Sequence, residues 1–103
     1  MYVELLEGAL NEWVDGADNV DLVDHALTCR TNMLTASRRS ANAYSALAAE
    51  VSYDRSLIKL AQAFDIPSDV SKFSNPGEER RRLERALVNV GVDLSALARH
   101  QRH

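Results

Sequence analysis

Three side chains able to bind a metal or act as nucleophile and base recur at four-residue steps: Asp21, His25 and Cys29. That spacing lines them up along one side of a helix. Carboxylate, imidazole and thiolate are all ligands for transition metals, and such pairs hold metals inside helical bundles. A closed zinc site needs a fourth ligand, however, and the remaining histidines, His100 and His103, lie at the far end of the chain. Cys29 also falls on a stripe of small residues, where a thiol packs as a compact hydrophobe. We therefore expect these three residues to serve packing, with no metal and no other cofactor. As a nucleophile and base, Cys29 and His25 lack an evident set of donors for a developing oxyanion. No other combination of nucleophile, base and charge stabiliser can be assembled from the chain, so no enzyme is expected. The acids Asp15, Asp18, Asp21 and Asp24 recur every third residue. A calcium loop instead alternates its oxygen ligands around a glycine and closes with a distant Glu. These acids are expected to cap and solvate the start of a helix.

A second stretch suggests recognition of a polymer. The run from Leu60 to Asn75, Leu-Ala-Gln-Ala-Phe-Asp-Ile-Pro-Ser-Asp-Val-Ser-Lys-Phe-Ser-Asn, resembles the helix-turn-helix of bacterial repressors. There an apolar helix and a turn precede a Val-Ser recognition helix that enters the major groove. The resemblance implies that Ser68, Ser71 and Lys72 face base edges while Arg80, Arg81, Arg82 and Arg85 reach phosphates. The segment departs from the pattern in three ways: Asp65 stands at the usual glycine, the gap from Ala61 to Val70 is one residue short, and Pro67 would open the recognition helix only a few residues before the Asn75-Pro76-Gly77 stop. The favoured reading is a capped connector between two core helices. The arginine run also has a local account. Glu78 lies one turn from Arg82, and Glu84 lies near Arg80 and Arg81, which makes a salt-laced solvent face.

Charge distribution limits the partners further. The 103 residues carry a net −3, but residues 1–29 hold seven acids and no Lys or Arg, a formal −7. Residues 30–103 hold all 12 basic residues and eight acids, a formal +4. The plainer expectation is that the acidic part lies against basic helices of the same fold. The alternative is an anionic face shown to a partner, or copies pairing acidic end to basic end. An overall negative chain suits an anionic polymer only if its basic face is segregated.

These side chains are expected to be positioned by helices throughout. With 46% hydrophobic and 26% charged residues the composition is that of a folded domain, and the length fits one domain covering residues 1–103. The fold expected is all-α, a small bundle of four to five helices with one long central helix. Val3, Leu6, Leu10, Trp13 and Val14 define a first helix over 2–15, stopped by Gly16. Asp18 or Asn19 caps the next. Between residues 17 and 66 there is no Gly or Pro. A stripe of Val20, Val23, Leu27, Leu34, Ala41, Tyr44, Ala48 and Val51 therefore predicts one long helix over 20–51, in preference to two meeting near Thr35–Arg39. Leu22, Ala26, Cys29 and Met33 flank that stripe. Ser52 is expected to cap a helix over 53–64. Residues 68–77 form a connector anchored by Val70 and Phe73. A helix over 77–90 with Leu83, Ala86, Leu87 and Val90 inward ends at Gly91, and Asp93 caps a short last helix.

With few aromatics the core is Leu, Val and Ala, thin enough that self-association is a reasonable way to cover the remainder. One cysteine permits no internal disulfide. No apolar run approaches the roughly 20 residues that span a bilayer, and with no Lys or Arg in residues 1–29 no leader is expected; a cytoplasmic protein is expected. The function expected is a non-enzymatic interaction module that binds a protein partner or forms a homodimer. The alternative is a small nucleic-acid-binding regulator using residues 57–75 and the Arg80–Arg85 helix. Trp13 and Tyr2 are expected to anchor the core, and if exposed would mark a binding hot spot.

Overall fold

The computed structural model describes residues 1–39 and 42–100, leaving aside the side chains of residues 37–39 and 100. Five α-helices follow one another: α1 Tyr2–Asn11, α2 Asn19–Arg39, α3 Ala43–Ala63, α4 Pro76–Asn89 and α5 Leu94–His100, with a 3₁₀ turn at Val70–Ser74 between α3 and α4. The architecture is an all-α bundle, and the described residues include no strand. No helix among them is long and apolar enough to cross a membrane.

Local chemistry sets most of the boundaries. Asp18 accepts the Asp21 amide at 2.9 Å and so caps α2. Asp93 does the same for α5 through Ala96, at 3.1 Å. Pro76 opens α4, where its missing N–H costs nothing. α4 closes on Gly91 at φ +93°, with the Val92 amide reaching back to the Leu87 carbonyl at 2.8 Å. α3 closes the same way on Asp65, at φ +58°, with Ile66 bonded to the Ala61 carbonyl at 2.8 Å.

Three expectations are corrected. No single helix spans 20–51: Asn42 is extended (φ −127°, ψ 163°) and accepts the Ser45 amide at 2.8 Å, so a new helix starts there. Ser52 caps nothing, because α3 runs through it from residue 43, and its carbonyl accepts the Ser56 hydroxyl at 2.9 Å. α1 ends at Asn11 rather than residue 15, since Trp13 turns away to pack on His25 and Arg55. The part of the long stripe on Ala41 lies outside the described residues.

Breaking at Asn42 makes α2 and α3 an antiparallel pair, with Cys29 against Ser56 and Met33, Leu34 and Ala46 near the other end. Small side chains at this seam let the backbones approach. The residues buried from α2 are Leu22, Ala26, Leu27 and Cys29, mainly the flanking stripe, while Val20, Leu34 and Tyr44 of the long stripe face outward. Around this pair, α1 inserts Leu6, the 3₁₀ turn inserts Phe73, and α4 inserts Leu83 and Leu87, all fully buried. Val90, expected inward, is 46% exposed past the end of α4.

Candidate functional site

The most polar part of the interior joins three helices. Asp54, on the inner face of α3, is fully buried. Arg80 of α4 grips it with two bonds, Nε to Oδ1 at 2.7 Å and Nη2 to Oδ2 at 2.8 Å, and reaches Glu50 at 3.3 Å. The Tyr2 hydroxyl of α1 donates to the same carboxylate. Burial pushes the Asp54 carboxyl above its ordinary range, although Arg80 and Tyr2 pull the other way. Hydrogen bonding to Asp54 holds the Arg80 guanidinium still more firmly protonated, and burial with the Asp54 bond raises the Tyr2 phenol. A parallel link runs from the buried Tyr53, whose hydroxyl donates to Glu84 of α4; desolvation and the Glu84 charge raise its phenol as well. These bonds hold α1 and α4 against α3.

The arginine run is therefore divided. Arg80 is committed inward. Arg82 forms a bidentate pair with Glu79, at 2.7 and 2.6 Å, and donates to the Pro67 carbonyl at 3.0 Å; Glu78 instead accepts from Asn75 at 2.8 Å. Arg81 and Arg85 are exposed. Among the residues the helix-turn-helix resemblance pointed to, Ser71 and Lys72 are exposed, whereas the Ser68 hydroxyl is buried. The stretch that resemblance makes a recognition helix is a five-residue 3₁₀ turn closed by Phe73 in the core. Asp69 caps it by accepting the Ser71 amide at 3.1 Å.

Of Asp21, His25 and Cys29, the structure brings the last two together, His25 Nε2 lying 3.6 Å from Cys29 Sγ. The thiol is buried, with the Ser56 hydroxyl also at 3.6 Å. Among the described residues, no three His, Cys, Asp or Glu side chains converge on a metal position. The His25 ring meets Trp13 edge to face, with centroids 5.4 Å apart, and Arg55 lies 5.2 Å over the Trp13 ring. Desolvation, helped by the Arg55 charge, lowers the His25 pKa below 6.5. Trp13 is thus half-buried as the base of an aromatic-cationic stack, and Tyr2 is half-buried as a hydrogen-bond donor.

Among the described residues, grooves open to the surface beside α4. One, about 270 Å³, is lined by Met33, Leu34, Ala46, Glu50 and Arg80 at the end of the α2–α3 pair. Another, about 260 Å³, lies between α4 and α5 and is lined by Arg81, Glu84, Arg85, Val88, Asp93, Leu94 and Ser95. Its lining holds two acids and two arginines: Glu84 accepts from the Tyr53 hydroxyl and Asp93 from an α5 amide, while Arg81 and Arg85 are exposed. Val88 is 48% exposed there, and Leu97, one turn beyond Leu94, is 37% exposed. Periodicity missed Val88 because it lies off the Leu83–Leu87 face; an aliphatic residue away from the buried stripe was its only trace.

The N-terminal part packs on α3, where Arg55 donates to the Ala9 carbonyl and covers Trp13, but its acids turn mostly to solvent rather than to basic side chains. Glu12, Asp15, Asp18, Asp21 and Asp24 are all exposed. Among the described residues, the ion pair these acids make with Lys or Arg is Asp15 to Lys59, at 3.8 Å, with the Asp15 side chain 87% exposed. No family model matches this chain, and neither curated proteins nor solved structures give a match.

Proposed function

We propose that this protein is a non-enzymatic helical interaction module that docks a polypeptide, from a partner or from a second copy, in the groove between α4 and α5. The observation that carries the reading is the juxtaposition of half-exposed Val88 with Leu94 below and the exposed Arg81 and Arg85 at the rim. An apolar floor inside a charged border is the anatomy of a protein interface, where the centre excludes water and the rim sets orientation. At about 260 Å³ the groove is below the ~300 Å³ at which small-molecule pockets begin. One or two aliphatic side chains suit it better. The single thiol of Cys29, buried and without a disulfide partner, suits a reducing compartment such as the cytoplasm.

Selection of displayed peptides against the wild type and against Val88→Asp tests the reading. The module should enrich peptides that combine acidic and aliphatic residues, and the variant should lose them while keeping its helical circular dichroism. Equal enrichment by both proteins refutes the groove. Retention on DNA or heparin that depends on Arg81 and Arg85, with no peptide enriched, would assign those arginines to nucleic acid instead.

A further inference from the structure

Given that the α4–α5 groove takes a polypeptide, we infer that its occupant is the acidic Val14–Val20 segment of another copy of this chain, so that copies associate head to tail. The segment carries what the groove lacks. Val14 is 85% exposed and Val20 is 68% exposed, and Asp15, Asp18 and Asp21 beside them are exposed as well. Residues 13–18 are not helical, so Val14 stands out on an open stretch of chain, while Val20 lies in the first turn of α2. Aliphatic side chains meet the apolar floor at Val88 and Leu94, while carboxylates meet the guanidinium groups of Arg81 and Arg85. Like charges would meet if the segment docked on itself, which favours its pairing with the exposed arginines of the groove.

The occupant must come from a different copy because of where α3 places the two surfaces. Tyr53 faces α4 through Glu84, whereas Arg55 faces Trp13 at the start of the acidic segment. Two residues on a helix are about 200° apart around its axis, so the segment and the groove lie on opposite sides of α3. Asp15, close to Lys59, holds the segment to its own side. Each copy therefore offers one segment and one groove pointing away from each other. Such a contact is heterologous, and it grows into rings or open chains rather than stopping at a two-fold dimer.

Sedimentation velocity of the full chain with two charge-swapped variants tests this. One carries Asp15→Arg with Asp21→Arg, the other Arg81→Glu with Arg85→Glu; all four positions are exposed, and circular dichroism verifies folding. The wild type should show a sedimentation coefficient that climbs with concentration past the dimer and falls as salt rises from about 50 to about 500 mM. Each variant alone should associate at least about tenfold more weakly, since like charge faces like charge. An equimolar mixture should recover association, because each variant's segment then opposes the other's groove. Val14→Ser with Val20→Ser, which leaves every charge in place, should also weaken assembly. A wild type that is monomeric throughout, a salt-insensitive closed dimer, or variants that fail to complement on mixing would each overturn the inference. A monomeric wild type whose Val88 methyl signals still shift with an acidic-aliphatic peptide would overturn self-docking while leaving the groove a polypeptide site.

Discussion

Replacing Arg80 with Met removes the counter-ion of the most buried carboxylate among the described residues. Asp54 is fully buried and loses two of its three hydrogen bonds, at 2.7 and 2.8 Å, keeping the one from Tyr2. Stranding one member of a buried pair costs about 3–5 kcal/mol. Because Arg80 retains 16% side-chain exposure and water can enter the space it leaves, the lower end, about 3 kcal/mol, is expected. For a domain of this size that lowers Tm by ~12–24 °C. The raised Asp54 pKa says that desolvation of the carboxylate outweighs what Arg80 and Tyr2 return. Removing the whole set should then be far less harmful than removing one member: Tyr2→Phe with Asp54→Leu and Arg80→Met should lie within about 1 kcal/mol of the wild type. The sign of the pH effect follows. A carboxyl that binds its proton more tightly folded than unfolded makes the fold gain stability as pH falls through the folded pKa toward 3.8. The loss in Arg80→Met should therefore shrink between neutral and mildly acidic pH. Urea unfolding followed at 222 nm measures each quantity. A single variant within 1 kcal/mol of wild type, or a triple variant as damaged as the sum of its parts, would refute the reasoning.

Other perturbations probe the boundaries and the stack. Asn42→Ala removes the α3 cap and should cost about 1 kcal/mol, whereas Asn42→Asp should stay within a few tenths; equal losses would mean that the cap is unimportant. Gly91→Ala forces a side chain into φ +93° and should cost about 1–2 kcal/mol, and an unchanged unfolding midpoint would contradict the turn. His25 should titrate below 6.5 by NMR. Its neutral ring is favoured in the fold, so its contribution is whole above pH 6.5 and is lost as pH falls through the folded value; a midpoint at or above 6.5 would remove the Arg55–Trp13–His25 stack as its cause.

The parts of the fold readable from the sequence are those that neighbouring residues decide. Asp18, Gly91 and Asp93 stop or start helices through bonds made within a turn, and each lies where its residue type placed it; Pro76, expected in the stop before the helix, is instead its first residue. The end of α1 depends on Trp13 finding Arg55, 42 positions away, and periodicity extends a helix past any residue that tertiary contact pulls out. Asn42 was the readable sign of the break after α2, a capping residue inside a run that the apolar stripe carried straight through. The stripe misled because Val20, Leu34 and Tyr44 keep heptad spacing yet face solvent once α2 and α3 fold back on each other. At the candidate site, the exposed acids were visible as composition, but nothing local distinguishes Arg80, tied to Asp54, from Arg81 and Arg85 at the rim. That division is decided by which face of α4 meets α3.

Methyl NMR of Val88 and Leu94 during titration with a peptide of acidic and aliphatic residues tests most directly whether the α4–α5 groove is a docking surface. Saturable shifts confined to those methyls and the Arg81 and Arg85 side chains, weakened by salt, are the predicted outcome. Methyl signals that stay fixed while the peptide perturbs the α2–α3 end, or perturbs nothing, would contradict it.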